Sequence, residues 1–232
     1  MYKNALIKQL SVSWLKDCNS STIKNLIPLL EQEVKLTVIQ ADTLETILSS
    51  EIICSCSTSE VSAPVRFFAK YYDTEKRAFQ NKKSSLRVRL EGDRFLAALK
   101  LKGEIKNGLS AREEYECNID GWIDCIDHLP EGDLKDKCLK ITNQNAGLHE
   151  IVCVDMQRRI VNLEFKDTGI EMVADKGKIS ANNSCMNLYE LELELKKGEL
   201  GSLVEMGKKI KENFDLEYSQ KTKYEIGLGL YD

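Results

Sequence analysis

Histidine occurs only twice in these 232 residues, at His128 and His149, and none of the 8 cysteines belongs to a C-x2-C pair. A structural zinc site gathers cysteine and histidine at short fixed spacings, so none is expected. The C-x-C at Cys54 and Cys56 is too sparse to change that expectation. Reduced, buried thiols in a cytoplasmic protein are the simpler reading. Only 3 prolines are present, which argues against a long linker. No stretch reaches the roughly 20 apolar residues of a membrane span. Lys3 and Lys8 interrupt the one apolar stretch near the N-terminus, so no signal peptide is expected. Net positive charge is lacking as well. A formal charge of −4 excludes binding to a nucleic-acid polymer through bulk charge, while leaving room for a local basic site.

What the chain has in quantity is charge, 30% of its residues, and in several places that charge alternates. Glu31, Glu33 and Lys35 occupy every second position, as do Arg87 and Arg89, then Arg112, Glu114 and Glu116. Glu190, Glu192 and Glu194 alternate with Leu191, Leu193 and Leu195. In a β-strand such residues share one face, about 7 Å apart, so the charges are collected there. Alternation by itself is ordinary for a half-solvated antiparallel strand. Two features point further. Three glutamates in register repel unless cations or a metal lie near them, and the leucines on the other face need an apolar cover.

Residues 1–28 read as an N-terminal helical extension, with Leu6, Ile7, Leu10, Trp14 and Leu15 at helical spacing. Such a helix would pack on the main domain at 29–232 or on a second copy of the chain, as in a homodimer. A strand near 30–39 leads to Asp42-Thr43-Leu44-Glu45, where a cap-like Asp opens a helix striped by Leu44, Ile47 and Leu48. Strands follow near 64–73, 84–92, 95–103 and 110–118. Two short helices are expected within 119–142, with Ile119, Trp122, Ile123 and Ile126 on one face. Three more strands cover about 149–166, 169–181 and 186–197. A helix at 199–213 shows Leu200, Leu203, Val204, Gly207, Ile210 and Phe214 on one side.

The turn at Glu91-Gly92-Asp93-Arg94 permits a test of facing. With Gly92 and Asp93 as a two-residue loop, Arg89 opposes Leu96, Arg87 opposes Ala98 and Ser85 opposes Lys100. Arg87, Arg89, Lys100 and Lys102 are then expected on one face. Helices covering the leucine side leave the charges on the other side. About eight strands so covered can close into an antiparallel barrel with a charged lumen, an α+β fold.

The ordered set Glu31-x-Glu33-x-Lys35, Tyr72-Asp73-Thr74, Leu86-Arg87-Val88-Arg89, Leu99-Lys100, Arg112-x-Glu114-Tyr115-Glu116, Asp175, Glu190-x-Glu192-x-Glu194 and Thr222-Lys223 resembles the CYTH, or triphosphate tunnel metalloenzyme, superfamily. Each motif is weak alone, and the order makes the set specific. The resemblance implies an eight-stranded triphosphate tunnel, dependence on Mg2+ or Mn2+, and a small-molecule triphosphate substrate. It assigns phosphate binding to Lys35, Arg87, Arg89, Lys100, Arg112, Arg158 and Lys223. With Leu101-Lys102 inserted before Gly103, Lys102 stands beside Lys100 as a further candidate. Arg158 is preferred to Arg159 because Val161, Leu163 and Phe165 put the odd phase on the apolar side. Glu31, Glu33, Glu114, Asp175, Glu190 and Glu192 are the expected metal ligands, since hard divalent ions take oxygen donors and bridge phosphates.

The reaction implied first is metal-dependent hydrolysis of the terminal phosphoanhydride, most simply of inorganic triphosphate to pyrophosphate and phosphate. One alternative is a class IV-type adenylyl cyclase making cyclic AMP from ATP. Those cyclases commonly carry a His-Phe pair ahead of the Glu-x-Glu-x-Lys element, where this chain has Asn25-Leu26-Ile27-Pro28-Leu29. The other is a non-catalytic binder of polyphosphate or nucleotide.

Overall fold

The computed structural model describes residues 29–106, 108–143 and 146–231, so the helical extension expected at 1–28 lies outside the described residues. In chain order the strands are β1 (Leu29–Thr37), β2 (Val65–Asp73), β3 (Ser85–Glu91), β4 (Arg94–Lys100), β5 (Glu104–Lys106), β6 (Leu109–Ile119), β7 (His149–Phe165), β8 (Thr168–Ala181), β9 (Ser184–Lys197) and β10 (Glu217–Tyr218). The helices are α1 (Ala41–Leu48), α2 (Glu51–Cys54), α3 (Ala78–Asn81), α4 (Asp133–Thr142), α5 (Leu200–Phe214) and α6 (Lys223–Tyr231).

The charge alternation of β1 sits on a strand paired along both edges, to β9 on one side and to β6 on the other. Those two partners are the ends of a continuous sheet, so β1 closes it. The ring runs β1-β9-β8-β7-β2-β3-β4-β6 and back to β1, antiparallel at every step. This is the expected eight-stranded closed barrel with helices outside. β5 extends β6, and β10 caps the end of β1, both outside the ring. The hairpin register is as the parity argument requires, with Arg89 opposite Leu96, Arg87 opposite Ala98 and Ser85 opposite Lys100. Gly92 takes φ 63 at the first loop position, a conformation that suits a residue without Cβ.

The outer face carries the hydrophobic core. Leu191 and Leu193 of β9 and Val34 and Leu36 of β1 pack with Leu44, Ile47 and Leu48 of α1 and Leu203, Met206 and Ile210 of α5. Each such side chain contributes about 1.5–3 kcal/mol on full burial. Gly207 lets α5 come close, since a Cβ there would lie 2.7 Å from Cγ1 of Val34. A second core joins Leu86, Val88 and Leu99 to Phe79 of α3 and to Leu134 and Cys138 of α4. α6 packs chiefly on β7 and β8, and Gly227 permits that approach, because a Cβ there would meet Cγ1 of Val152 at 2.2 Å.

Four local expectations need correction. The cap of α1 is Gln40, without a side-chain hydrogen bond, and Asp42 lies inside the first turn, where a carboxylate favours the helix dipole. Residues 120–125 are irregular. β6 runs on through Ile119, and only a 3-10 turn (Ile126–His128) and α4 fall within 119–142. The ring of Trp122 stands edge-on to Phe68 and Phe95 on the outside, where the residue is 37% exposed. On α5 the buried stripe is Leu203, Met206, Gly207 and Ile210, while Val204 is exposed. β4 ends at Lys100, so parity does not carry on to Lys102.

Candidate active site

The inward phase of the strands encloses a cavity of about 250 Å3. β1 contributes Glu31, Glu33 and Lys35, all buried. Arg112 lies opposite Glu31 across the β1–β6 pairing, and its two nitrogens reach both glutamates: Nε donates to Glu31 Oε2 and NH2 to Glu33 Oε1, each at 3.0 Å. Lys100 donates to Glu31 at 2.6 and 2.8 Å and lies 3.2 Å from Glu114 Oε1, its neighbour in the β4–β6 register. Burial alone would raise the Glu31 carboxyl. The ammonium of Lys100 and the guanidinium of Arg112 outweigh it and hold the group well below the usual carboxylate range.

β9 supplies the opposite wall. Lys35 bonds Glu192, its register partner, and lies 3.0 Å from Glu33. Lys223, at the start of α6, bonds Glu190, reaches Glu192 Oε1 at 2.7 Å and lies 3.1 Å from Asp175 Oδ2. Arg158 grips Asp175 through Nε at 2.8 Å and NH2 at 2.7 Å, the bidentate fork that lysine cannot supply. The glutamates in register are thus interleaved with cations. Arg159, on the other face of β7, bonds Glu45 and the Ser62 carbonyl. The phase argument for Arg158 holds.

Arg87 and Arg89 differ from the other cations. The nearest carboxylate oxygens to Arg87, on Glu114 and Glu116, are 3.8 and 3.7 Å away, too far for hydrogen bonds. The Nε atoms of Arg87 and Arg89 are buried without a hydrogen-bond partner. The ring of Phe67 supports Arg158 at 4.8 Å and Arg89 at 5.7 Å. Burial and the neighbouring guanidinium groups of Arg87 and Arg158 lower the pKa of Arg89 despite Glu91, whose carboxylate lies 3.3 Å from NH2 of Arg89. Two carboxylate oxygens also accept no hydrogen bond, Glu114 Oε1, with the Lys100 ammonium 3.2 Å away, and Glu190 Oε1. Burial, with Glu31 and Glu116 close by, pushes the Glu114 carboxyl up to about 7 despite Lys100 and Arg87. Burial is also the main reason that Glu190 is raised.

Thirteen of the expected residues therefore face one interior, namely Glu31, Glu33, Lys35, Arg87, Arg89, Lys100, Arg112, Glu114, Arg158, Asp175, Glu190, Glu192 and Lys223. Lys102 does not. It is exposed beyond the end of β4 and borders a second cavity, which shares Ser85, Lys100, Arg112, Thr222 and Tyr224 with the tunnel. Glu116, Glu171, Glu194 and Lys196 line the tunnel as well. Glu194 and Lys196 continue the β9 alternation, and Glu171 is the register partner of Glu194, so the same periodic signal reaches them. Asp73 plays a different part. Fully buried, it accepts backbone N–H bonds from Thr74 and Phe79 through Oδ1 and from Gln80 through Oδ2, which fixes the turn into α3.

The CYTH domain model matches residues 29–226, the span that holds every strand of the barrel. The chain belongs to the CYTH domain family. It is 27% identical over 159 residues to an inorganic triphosphatase of Haemophilus influenzae, covering 68% of this chain and 44% of that protein, so it spans less than half the length of this curated relative. Among solved structures it is similar to a Hippeastrum protein, a candidate adenylyl cyclase described as having a dominant triphosphatase activity. The TM-score is 0.63 at 16% identity, with 87% of this chain and 97% of the other covered. It is also similar to a candidate adenylate cyclase of Vibrio parahaemolyticus, with TM-score 0.52 at 15% identity over 88% and 99% of the two chains. At these identities the likeness to solved structures concerns the fold.

Proposed function

We propose that the tunnel of this CYTH protein hydrolyses the terminal phosphoanhydride of a triphosphate with Mg2+ or Mn2+, and that inorganic triphosphate is its first substrate. The observation that carries this reading is the pair Arg87 and Arg89, whose buried Nε atoms lack hydrogen-bond partners, facing the same interior as the Glu114 and Glu190 oxygens that accept no hydrogen bond. Taking charges out of water costs several kcal/mol for each ion, so such groups persist where a bound species completes them. A polyanion completes the guanidinium groups. A hard cation completes the carboxylates, and without one the nine carboxylates of the tunnel would outnumber its eight cations and oppose an anionic substrate.

Lys35, Arg87, Arg89, Lys100, Arg112, Arg158 and Lys223 bind the phosphates, the arginines as forks and the lysines as point charges. Glu31, Glu33, Glu114, Asp175, Glu190 and Glu192 are the oxygen donors for the metal. Among the described residues no three of these carboxylates converge on one point, because cations stand between them. That suits an ion bound through one or two carboxylates and the substrate's own oxygens, the usual habit of Mg2+. When bound, the ion neutralises phosphate charge and polarises the phosphoryl group. The chain itself holds the triphosphate extended between cationic walls, excludes bulk water through α6 and the closed barrel, and aims Arg87 and Arg89 at charge that develops in the transition state.

The triphosphatase activities of the Haemophilus influenzae and Hippeastrum relatives support hydrolysis. The cysteines among the described residues are free, which suits a reducing cytoplasm, although only Cys138 is buried where buried thiols were expected. Arg87→Ala should lower kcat/KM by on the order of 10² or more, with Arg87→Lys recovering part of the loss. Full activity in both variants would refute the assignment.

A further inference from the structure

The loop between β6 and α4 brings together three donors of three kinds away from the tunnel. Ligand atoms of Asp124, Cys125 and His128 all lie within 4.8 Å of one another, and no other trio of Asp, Glu, Cys and His among the described residues converges so closely. None of the three lines the tunnel cavity. The loop beneath them is held in place. Ile123, Ile126 and Leu129 are buried in the core that joins β3 and β4 to the outer helices. Leu148 N–H donates to the Asp124 carbonyl at 2.7 Å, Ile126 N–H donates to the Ala146 carbonyl at 3.3 Å, and Cys125 bridges to Gly147. Packing therefore sets the backbone under the donors before any ligand arrives. His128 Nδ1 and Asp124 Oδ1 stand 3.0 Å apart with side chains 57% and 83% exposed, and Cys125 is half-buried beside them. An exposed pair of this kind contributes little to stability, so stability gives little account of the grouping.

We propose that Asp124, Cys125 and His128 bind one thiophilic divalent cation of the Zn2+ class, with water in the fourth tetrahedral position. A thiolate and an imidazole select such an ion over Mg2+ or Mn2+, which prefer all-oxygen shells. The chain then has two metal preferences: hard ions in the tunnel and a soft one on the outer loop. Binding releases the Cys125 thiol proton to solvent and needs His128 neutral, so affinity rises with pH. The sequence signal is D-C-x-x-H, in which Asp124 and His128 lie four residues apart with the cysteine beside the first.

Cobalt titration of the reduced full chain in excess Mg2+ tests this. One equivalent of Co2+ should bind with a thiolate-to-metal charge-transfer absorption in the near ultraviolet, and Zn2+ should displace it. Cys125→Ser should abolish the absorption. His128→Ala and Asp124→Asn should each weaken affinity by about tenfold or more, while replacing Cys54 and Cys56 by serine should change nothing. Zn2+ should also raise the melting temperature of the wild type and not that of His128→Ala. No charge-transfer absorption at saturating Co2+, its survival in Cys125→Ser, or its loss on replacing Cys54 and Cys56 would overturn the proposal. If Cys125→Ser fails to fold, the variants at the exposed Asp124 and His128 decide, and wild-type affinity in both overturns it.

Discussion

The two faces of β9 do opposite work with neighbouring residues. Leu191 and Leu193 point outward, are fully buried under α1 and α5, and belong to the largest core cluster. Glu190 and Glu192 point inward, Glu190 as deeply buried as the leucines and Glu192 partly buried, and meet Lys223, Lys35 and Arg158. Burial is thus no guide to role in this barrel. Outside, it gathers apolar area and stabilises the closed sheet. Inside, it strips water from charges, which is unfavourable in itself and becomes useful where a charged ligand takes the place of that water. The outer face should therefore set stability, and the inner face should set turnover.

The sharpest way to break the comparison is Glu31→Gln, which keeps the volume and removes one inner charge. Triphosphate turnover should fall by on the order of 10³ or more, while the melting temperature stays within a few degrees because the leucine face is untouched. A collapse of the melting temperature that matched the loss of activity would make Glu31 a structural residue. On the outer face, Leu193→Ala should destabilise the fold by about 2–5 kcal/mol in chemical denaturation, with kcat/KM of the remaining folded protein nearly unchanged. The smallest effect, and the finest test, compares adjacent residues. Arg158→Lys loses the fork on Asp175 and should reduce kcat/KM about tenfold, whereas Arg159→Lys, on the outside with Glu45, should leave it within about twofold. Equal effects would mean that the facing of β7 does not govern activity.

Much of this division was legible in the sequence because period-two alternation of charge and leucine is a strong local signal. It gave the phase of β1, β3 and β9 and the choice of Arg158, and through the Gly92-Asp93 turn it gave the register of the hairpin. The same alternation includes Glu194 and, continued two residues along β9, leads to Lys196. Partnerships across the barrel were not legible. Lys35 and Glu192 are 157 positions apart, and only the closure of the sheet brings them together. Irregular segments misled the reading for a different reason. Ile119, Trp122, Ile123 and Ile126 mimic a helical stripe while lying on a strand end, a loop and a 3-10 turn. Lys102 was placed by extending strand parity beyond Lys100, where β4 stops.

The central claim is that the inward face reads a triphosphate with the help of a divalent ion and lacks a dedicated grip on adenosine. The most direct measurement is product release from inorganic triphosphate and from ATP, with Mg2+, with Mn2+ and with excess chelator, scored for phosphate, pyrophosphate and cyclic AMP. The account predicts pyrophosphate and phosphate from inorganic triphosphate, with kcat/KM at least roughly tenfold above that for ATP, about 1.4 kcal/mol in transition-state binding, and no turnover in chelator. Cyclic AMP as the main product from ATP, or full turnover in chelator, would contradict it.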